Sequence, residues 1–340
     1  MSKKEMTSRE LVHKSVDFDD PQRIPRQMWL LPWASMHHGD EVKRIQLKYP
    51  DDIVGPPFTC REKPITVGDM FAVGMYEDEW GCVWENEQAG IVGQIKDPII
   101  KNWNDTSKVR FPTQLLTIDI NQVNAFCRQS DKFVIGGCCP RPFERMQFLR
   151  GCENTLMDLA LHQRECFEFL YRVHSFYLKK LELWARTEVD ALWFMDDWGS
   201  QNSLLISPTM WREIFKPLYK DYIDIAHSNG KKAFMHSDGY IMEIIPDLVE
   251  LGLDALNSQI FCMGVEELGR RFKGQITFWG EMDRQHLLPN GSPDDIVKAV
   301  KQVYKSMYRK GGVIGQTEFG AKVKPENVEA VFATWDSMLK

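Results

Sequence analysis

The sequence predicts an α/β protein: one TIM (β/α)8 barrel over residues 1–340, with an elaborated, less regular N-terminal region at 1–130 that carries loop insertions. Three observations predict it. From about residue 130, short apolar runs alternate with amphipathic helical segments, the pattern of parallel βαβ units. No internal repeat, low-complexity tract or long linker divides the chain, so one domain is favoured over several. The length suits one large barrel, and no glycine-rich phosphate fingerprint argues for a doubly wound sheet instead.

The elements follow in order. Thr7-Ser8-Arg9-Glu10 fits a capping box that opens a first helix. Residues 27–33 read as a strand, and residues 50–113, rich in Pro, Gly and Trp, as loops with short strands. Residues 132–138 form the next strand, followed by two or three helices through residue 188. Ala191–Met195 is a short apolar strand ending abruptly in Asp196-Asp197-Trp198-Gly199. Ser207 as N-cap and Pro208 at the first helical position then start a helix that Gly230 ends.

The rhythm repeats with a strand at 232–235 and a Pro246-interrupted helix to residue 251. A strand at 254–256, a helix at Val265–Phe272 and a strand at 276–279 come next. Ser292-Pro293 caps another helix, residues 312–314 form the last strand, and Lys324-Pro325 opens the last helix.

Composition excludes several classes of function. With 42 Lys+Arg against 48 Asp+Glu the net charge is −6, so no basic excess neutralises the phosphates of a nucleic acid. No stretch approaches the roughly 18 uninterrupted apolar residues of a membrane span. Met1-Ser2-Lys3-Lys4-Glu5 begins charged with no apolar run behind it, so no signal peptide is visible. Eight cysteines without a CxxC pair read as reduced thiols of a cytoplasmic protein, and their spacing excludes a cysteine-rich zinc finger. Walker A, GxSxG and HExxH patterns do not occur.

In a parallel barrel the active site forms at the C-terminal ends of the strands. Read in order, those ends supply Asp196 and Asp197, then His236 and Asp238, Asn257 and Gln259, Glu281 and Asp283, and finally Glu318. Carboxylates gathered this closely repel, so either a cation sits among them or some are protonated. His236 and Asp238 are one residue apart and point to one side of an extended segment. With Glu281 and Glu318 they offer one nitrogen and several hard oxygens, compatible with zinc. The alternative leaves His236 donating to a backbone carbonyl while the acids bind water or substrate. One of Asp196 and Asp197 serves as acid or base and the other supports the loop. Among 11 tryptophans and 16 methionines, Trp193, Trp198 and Trp279 flank this mouth and predict an apolar, aromatic-accepting pocket. Trp211 and Trp335 lie on helices and read as core.

At these residues the chain resembles the uroporphyrinogen decarboxylase superfamily, and more narrowly its branch of cobalamin-dependent methyltransferases. The resemblance is strongest from Asp196 to Val328. It is carried by DDWGSQNSLLISPTMWREIFKP, AHSNGKKAFMHSDG, IPDLVELGLDALN, FWGEMDRQHLLPNG and GGVIGQTEFGAKVKPENV. FERMQFLRGCENTLMDLA from Phe143 and SRELVHKSVDFDDPQRIP near the start extend it, while residues 35–110 contribute little.

The resemblance implies a single TIM barrel with its site at the strand mouths. It also locates departures. The arginine-rich RQAGR segment of the authentic decarboxylase has no equivalent, since Arg26-Gln27-Met28-Trp29-Leu30 follows Pro25. The thiol-methylating relatives bind zinc through an HxC pair and a later cysteine; here Asp238 and Thr317-Glu318 stand at those places. Zinc held by nitrogen and oxygen is a harder Lewis acid, suited to polarising an ether or hydroxyl oxygen.

The implied function is a methyltransferase or demethylase. It takes a methyl group from a small, plausibly methoxylated aromatic, donor. The metal sits at His236, Asp238, Glu281 or Glu318, with Asp196 or Asp197 positioning substrate or supplying a proton. Trp193, Trp198, Asn257, Gln259 and Trp279 bind the substrate. The acceptor is a corrinoid carried by a partner protein. The chain has no corrinoid-binding DxHxxG pattern of its own, because Ile225 stands two residues before His227. A metal-free decarboxylase or lyase is the alternative reaction, and a non-catalytic small-molecule-binding barrel the alternative class. The substrate's identity is left open, as is the oligomeric state, with which a homodimer is compatible.

Overall fold

The computed structural model describes residues 5–57 and 60–338; Met1–Lys4, where the charged start was read, lie outside them. Among the described residues ten strands form in chain order: β1 (Arg26–Leu30), β2 (Ile53–Val54), β3 (Gly74–Glu77), β4 (Val83–Asn86), β5 (Phe133–Val134), β6 (Ala191–Met195), β7 (Lys232–Ser237), β8 (Ala255–Ser258), β9 (Thr277–Trp279) and β10 (Val313–Phe319). Six build one curled parallel sheet in the order β1-β10-β9-β8-β7-β6. β2 and β5 form a separate parallel pair, and β3 and β4 an antiparallel hairpin. Backbone bonds join the pair to both edges of the sheet. Asp52 N–H donates to the Arg26 carbonyl at 2.9 Å, and Gly136 N–H to the Ala191 carbonyl at 2.9 Å.

Side-chain alternation decides what faces inward. Phe133, Ala191, Phe234, Ala255, Trp279 and Ile314 pack as an inner apolar cluster together with Val12 and Val16 of the first helix, Ser8–Val16. That helix seats on the start of β10, where Ser15 Oγ donates to the Val313 carbonyl at 2.8 Å. The intervening strand residues Leu192, Phe194, Met235, Leu256 and Phe278 belong to the larger cluster shared with the helices.

Local signals place most elements. Thr7 and Glu10 make the reciprocal capping box, Ser207 accepts from Met210 N–H, and Ser292 caps Pro293–Met307. Ala191–Met195 and Val265–Phe272 have the expected bounds. The strand expected at 132–138 is confined to Phe133–Val134 and the one expected at 312–314 extends to Phe319, while prolines account for three other differences. The first strand stops at Leu30 because Pro32, which needs no N–H partner at a helix start, opens the helix Pro32–His37. Pro217 likewise starts a second helix, Lys216–Ser228, after Pro208–Ile214, and Pro246 begins Ile245–Glu250 rather than interrupting it. The irregular N-terminal region is held by the buried Asp78, which accepts from Trp80 N–H, Cys82 N–H and Trp84 Nε1 and pairs with Arg145 at 3.1 Å. Among the described residues no helix is long and apolar enough to cross a membrane.

Two adjacent acids near the joint between β1 and β2 behave differently. Asp52 is fully buried and accepts from Ser8, Arg23 and the Arg26 N–H. Asp51 accepts from Met28 N–H at 2.7 Å, and burial pushes its carboxyl up to about 6. The folded state thus keeps the Asp51 proton longer than the unfolded chain, so this group's contribution to stability falls as pH rises from about 4 to about 6. Asp51→Asn is expected to stabilise the protein by about 2 kcal/mol at pH 7 and to leave it unchanged near pH 4. Urea denaturation at both pH values checks this, and a gain of equal size at both would exclude ionisation as the cause.

Candidate active site at the strand ends

Register assembles the site. Met195 lies opposite His236, His236 opposite Asn257, and Trp29 opposite Glu318. His236 and Asp238 continue the inward row begun by Phe234, and Glu281 follows β9 across Gly280, which adopts φ +71°.

His236 is buried, and its Nδ1 lies 2.5 Å from Asn257 Oδ1. Asn257 Nδ2 donates to the Trp279 carbonyl, which leaves the amide oxygen to accept from the imidazole. Nδ1 therefore carries a proton and Nε2 faces two carboxylates, 3.5 Å from Asp197 Oδ1 and 3.6 Å from Asp238 Oδ1. A lone pair aimed at two carboxylates is repelled, so Nε2 requires a cation, either a proton or a metal. Burial alone pulls the imidazole down, but Asp197 and Asp238 outweigh it and raise His236 to about 9. Burial likewise pushes the Asp197 carboxyl up, and His236 more than offsets it, holding Asp197 below the usual range.

The same atoms fit a zinc-type ion. Ligand atoms of Asp197, His236 and Asp238 all lie within 4.8 Å of one another. Two donors about 2.1 Å from a tetrahedral zinc stand roughly 3.4 Å apart, close to both imidazole–carboxylate distances. Asp238 Oδ1 is buried without a hydrogen-bond partner, and Asn257 gives the imidazole the rear support that metal-bound histidines receive.

The remaining acids have a cation that the sequence reading did not single out. The Arg284 guanidinium contacts Asp238, Glu281 at 3.1 Å and Glu318 at 3.1 Å. Glu281 and Glu318 thus join Asp238 around Arg284, whereas the triad adds Asp197. Burial raises Glu281 to about 8 even with Arg284 beside it, and its Oε1 has no partner. Arg284 stands three residues after Glu281, and that spacing was the available signal.

Asp196 and Asp197 diverge. Asp196 is fully buried; it accepts from Tyr219 Oη at 2.6 Å and from Glu144 N–H at 2.8 Å, which fixes the start of the helix Pro142–Arg150. Burial, then the Glu144 charge, pushes its carboxyl well above the usual range. Trp198 is also fully buried, stacked on Phe143 at 4.1 Å and donating from Nε1 to Tyr219 Oη. Neither is brought to the mouth. Trp193 and Trp279 are: with Gln27, Trp29 and Gly136 they line a cavity of about 250 Å³. Trp29 lies 5.2 Å from the His236 ring and 5.3 Å from that of Trp279, centroid to centroid. Gln27 Oε1 accepts from both Trp29 Nε1 and Trp279 Nε1. Trp29 alternates with Gln27 in an apolar strand, a signal present in the sequence. Gln259 accepts from Gly239 N–H at 3.2 Å and lines a smaller cavity, of about 100 Å³, beside Glu281 and Arg284.

The loops bearing Asp197 and Asp238 are locked backbone to backbone. Asp238 N–H donates to Asp197 Oδ1, Gly199 N–H to the Asp238 carbonyl, and Tyr240 N–H to the Ser200 carbonyl. A Cβ on Gly239, at φ +78°, would lie 2.1 Å from the Gly199 carbonyl oxygen. Gly239→Ala is therefore expected to part the two aspartates and lower zinc affinity at least about tenfold, with the far-UV spectrum retained. Chelator competition measures this, and wild-type affinity in the variant would mean that the lock does not set the triad.

No family model matches the chain, and no curated protein matches it. Among solved structures it resembles a methyltransferase from Methanosarcina mazei, with TM-score 0.67 and 15% identity over 99% of this chain and 100% of that one. A B12-independent methionine synthase from Shewanella sp. W3-18-1 gives TM-score 0.48 and 11% identity over 93% of each chain. At these identities the likeness concerns fold alone: the chain shares the TIM-barrel-like α/β fold of the M. mazei methyltransferase.

Proposed function

We propose that the chain is a single barrel of eight parallel strands, β2 and β5 closing the ring, and that it acts as a methyltransferase or demethylase. The methyl donor is a small methylated compound of the methoxylated-aromatic type, and the acceptor is a corrinoid carried by a partner protein. One observation carries the reading. The cation-requiring Nε2 of His236, between Asp197 and Asp238, stands beside a cavity walled by Trp29, Trp193 and Trp279. The full-length fold likeness to a methyltransferase supports it.

Asp197, His236 and Asp238 would hold a zinc-type ion, which supplies Lewis acidity toward the ether oxygen. Asn257 orients the imidazole, and the Gly199–Gly239 contact keeps the two aspartates in reach. The tryptophans bury an apolar ring and exclude water from it. Arg284 gathers Glu281 and Glu318, so those acids shape the mouth while the triad offers the ligands. Metal analysis and zinc titration of the chelator-treated protein test the reading, together with methyl transfer from a methoxylated aromatic to a cob(I)alamin acceptor. Binding of about one zinc per chain and zinc-dependent transfer are expected; failure to bind zinc removes the Lewis-acid role.

A metal-free decarboxylase or lyase is the second reading. It is favoured by the elevation of His236 to about 9, which makes the imidazolium itself the cation between the aspartates. Turnover of a carboxylated substrate without zinc or corrinoid would select it.

A further inference from the structure

Arg284 binds acids that come from three different strand ends. Its Nη1 lies 3.1 and 3.2 Å from Glu318 Oε1 and Oε2, its Nε 3.1 Å from Glu281 Oε2, and its Nη2 donates to Asp238 Oδ2. The turn that carries it is held by the neighbouring Asp283, whose Oδ1 accepts from Gln285 N–H at 2.9 Å and from His286 N–H at 2.8 Å. Asp283, one of the acids read at the strand ends, thus fixes the turn that presents the guanidinium. Glu281 is anchored as well, through its N–H to the Ser258 carbonyl at 2.8 Å.

These contacts divide the carboxylate oxygens. Asp238 gives Oδ2 to the guanidinium and keeps Oδ1, buried and without a hydrogen-bond partner, 3.6 Å from His236 Nε2. Glu318 commits both oxygens to Nη1. Glu281 is only 2% exposed; its Oε2 faces Arg284, and its Oε1 has no hydrogen-bond partner.

With Arg284 in place, a cation at the triad meets one imidazole nitrogen and two carboxylates, one of them limited to a single oxygen. Three protein ligands with an open fourth position are the set that suits zinc. Without the guanidinium, the mouth has one positive charge fewer, and Glu281, Glu318 and Asp238 Oδ2 lose the donor that holds them. An oxygen-rich set with more ligands and more negative charge suits manganese or magnesium. A lysine cannot substitute fully, because it is a point charge, whereas the planar fork directs separate nitrogens at separate acids.

We propose that Arg284 sets the metal preference of the triad: it holds Glu281, Glu318 and the second oxygen of Asp238 away from the cation, which leaves a three-ligand site selective for zinc over manganese. Arg284 is a positioning residue, acting through Asp238 and the two glutamates. The inference rests on the metal site of the proposed function and is independent of the reaction performed there, since its test reads metal binding alone.

The experiment titrates the chelator-treated protein with Zn2+ or Mn2+ by calorimetry and records visible absorption after loading with Co2+. Arg284→Met is expected to lower the zinc-to-manganese affinity ratio about 100-fold, and Arg284→Lys about tenfold. The triple variant R284M/E281Q/E318Q, which removes the freed acids, should recover at least about tenfold of that loss. The strong visible band of four-coordinate Co2+ is expected in the wild type, weakened in R284M as the coordination number rises, and restored in the triple variant. Thermal unfolding of each variant verifies folding. An unchanged ratio in folded R284M and R284K, or loss of both metals in equal measure, overturns the proposal and leaves the zinc site standing. No recovery in the triple variant overturns it as well, because the glutamates would then not be the competing ligands. Binding of neither metal by the wild type removes the metal site itself and the proposal with it.

Discussion

His236→Ala is expected to lower zinc affinity about a thousandfold and to abolish zinc-dependent turnover, with the fold retained. A residue that only orients a metal-bound histidine is worth roughly 10–100-fold in affinity, and removal of the ligand itself costs more. Here the imidazole supplies the only nitrogen of the triad, and without it Asp197 and Asp238 face each other with no central cation. Asn257→Ala is the graded comparison: it frees the imidazole behind the site and should lose about 10–100-fold. Calorimetric zinc titration of chelator-treated wild type, H236A and N257A measures the series. Wild-type affinity in H236A would move the metal site elsewhere; equal losses in both variants would mean that the imidazole is not itself a ligand.

Asp52→Ala is expected to destabilise the protein by about 3–5 kcal/mol, the cost of stripping one partner from a buried ion pair. The Asp52 side chain is fully buried and takes both guanidinium nitrogens of Arg23, the Ser8 hydroxyl and the Arg26 N–H. Its own backbone accepts from Phe133 N–H and donates to the Arg26 carbonyl, so one residue ties the first helix, β1, β2 and β5 together. Removing the carboxylate leaves Arg23 half-buried and unpaired, with two further donors unsatisfied. Denaturant unfolding followed by circular dichroism tests it. A loss below about 1 kcal/mol would mean that water replaces the carboxylate and that the joint between β1 and β2 is not held there.

Much of the fold was legible because its causes are local. Ser207, Ser292 and the Thr7–Glu10 box act within four residues, so helix starts could be read directly. The runs Ala191–Met195 and Val265–Phe272 carry their own periodicity and came out with correct bounds. Prolines were harder: Pro32 and Pro246 each begin a helix, and distinguishing a start from a break requires knowing where the preceding element ends.

The candidate site divides along the same line. That His236 and Asp238 share a face follows from the two-residue repeat of a strand, and that acids crowd the strand ends follows from the barrel pattern. The sequence therefore determined the α/β class, the strand ends as the place of chemistry, and the demand of those acids for positive charge. Only the tertiary structure decided how that demand is divided: Arg284 among Asp238, Glu281 and Glu318, and the Nε2 of His236, taking a proton or a metal, between Asp197 and Asp238. It likewise turned Asp196 and Trp198 into the core with Tyr219 and brought Trp29 beside His236. The physical reason is range. Strand and helix periodicities are fixed by neighbours a few residues apart, whereas charge pairing and ring packing depend on through-space distances between segments up to about three hundred residues apart in the chain, which only the curling of the sheet sets.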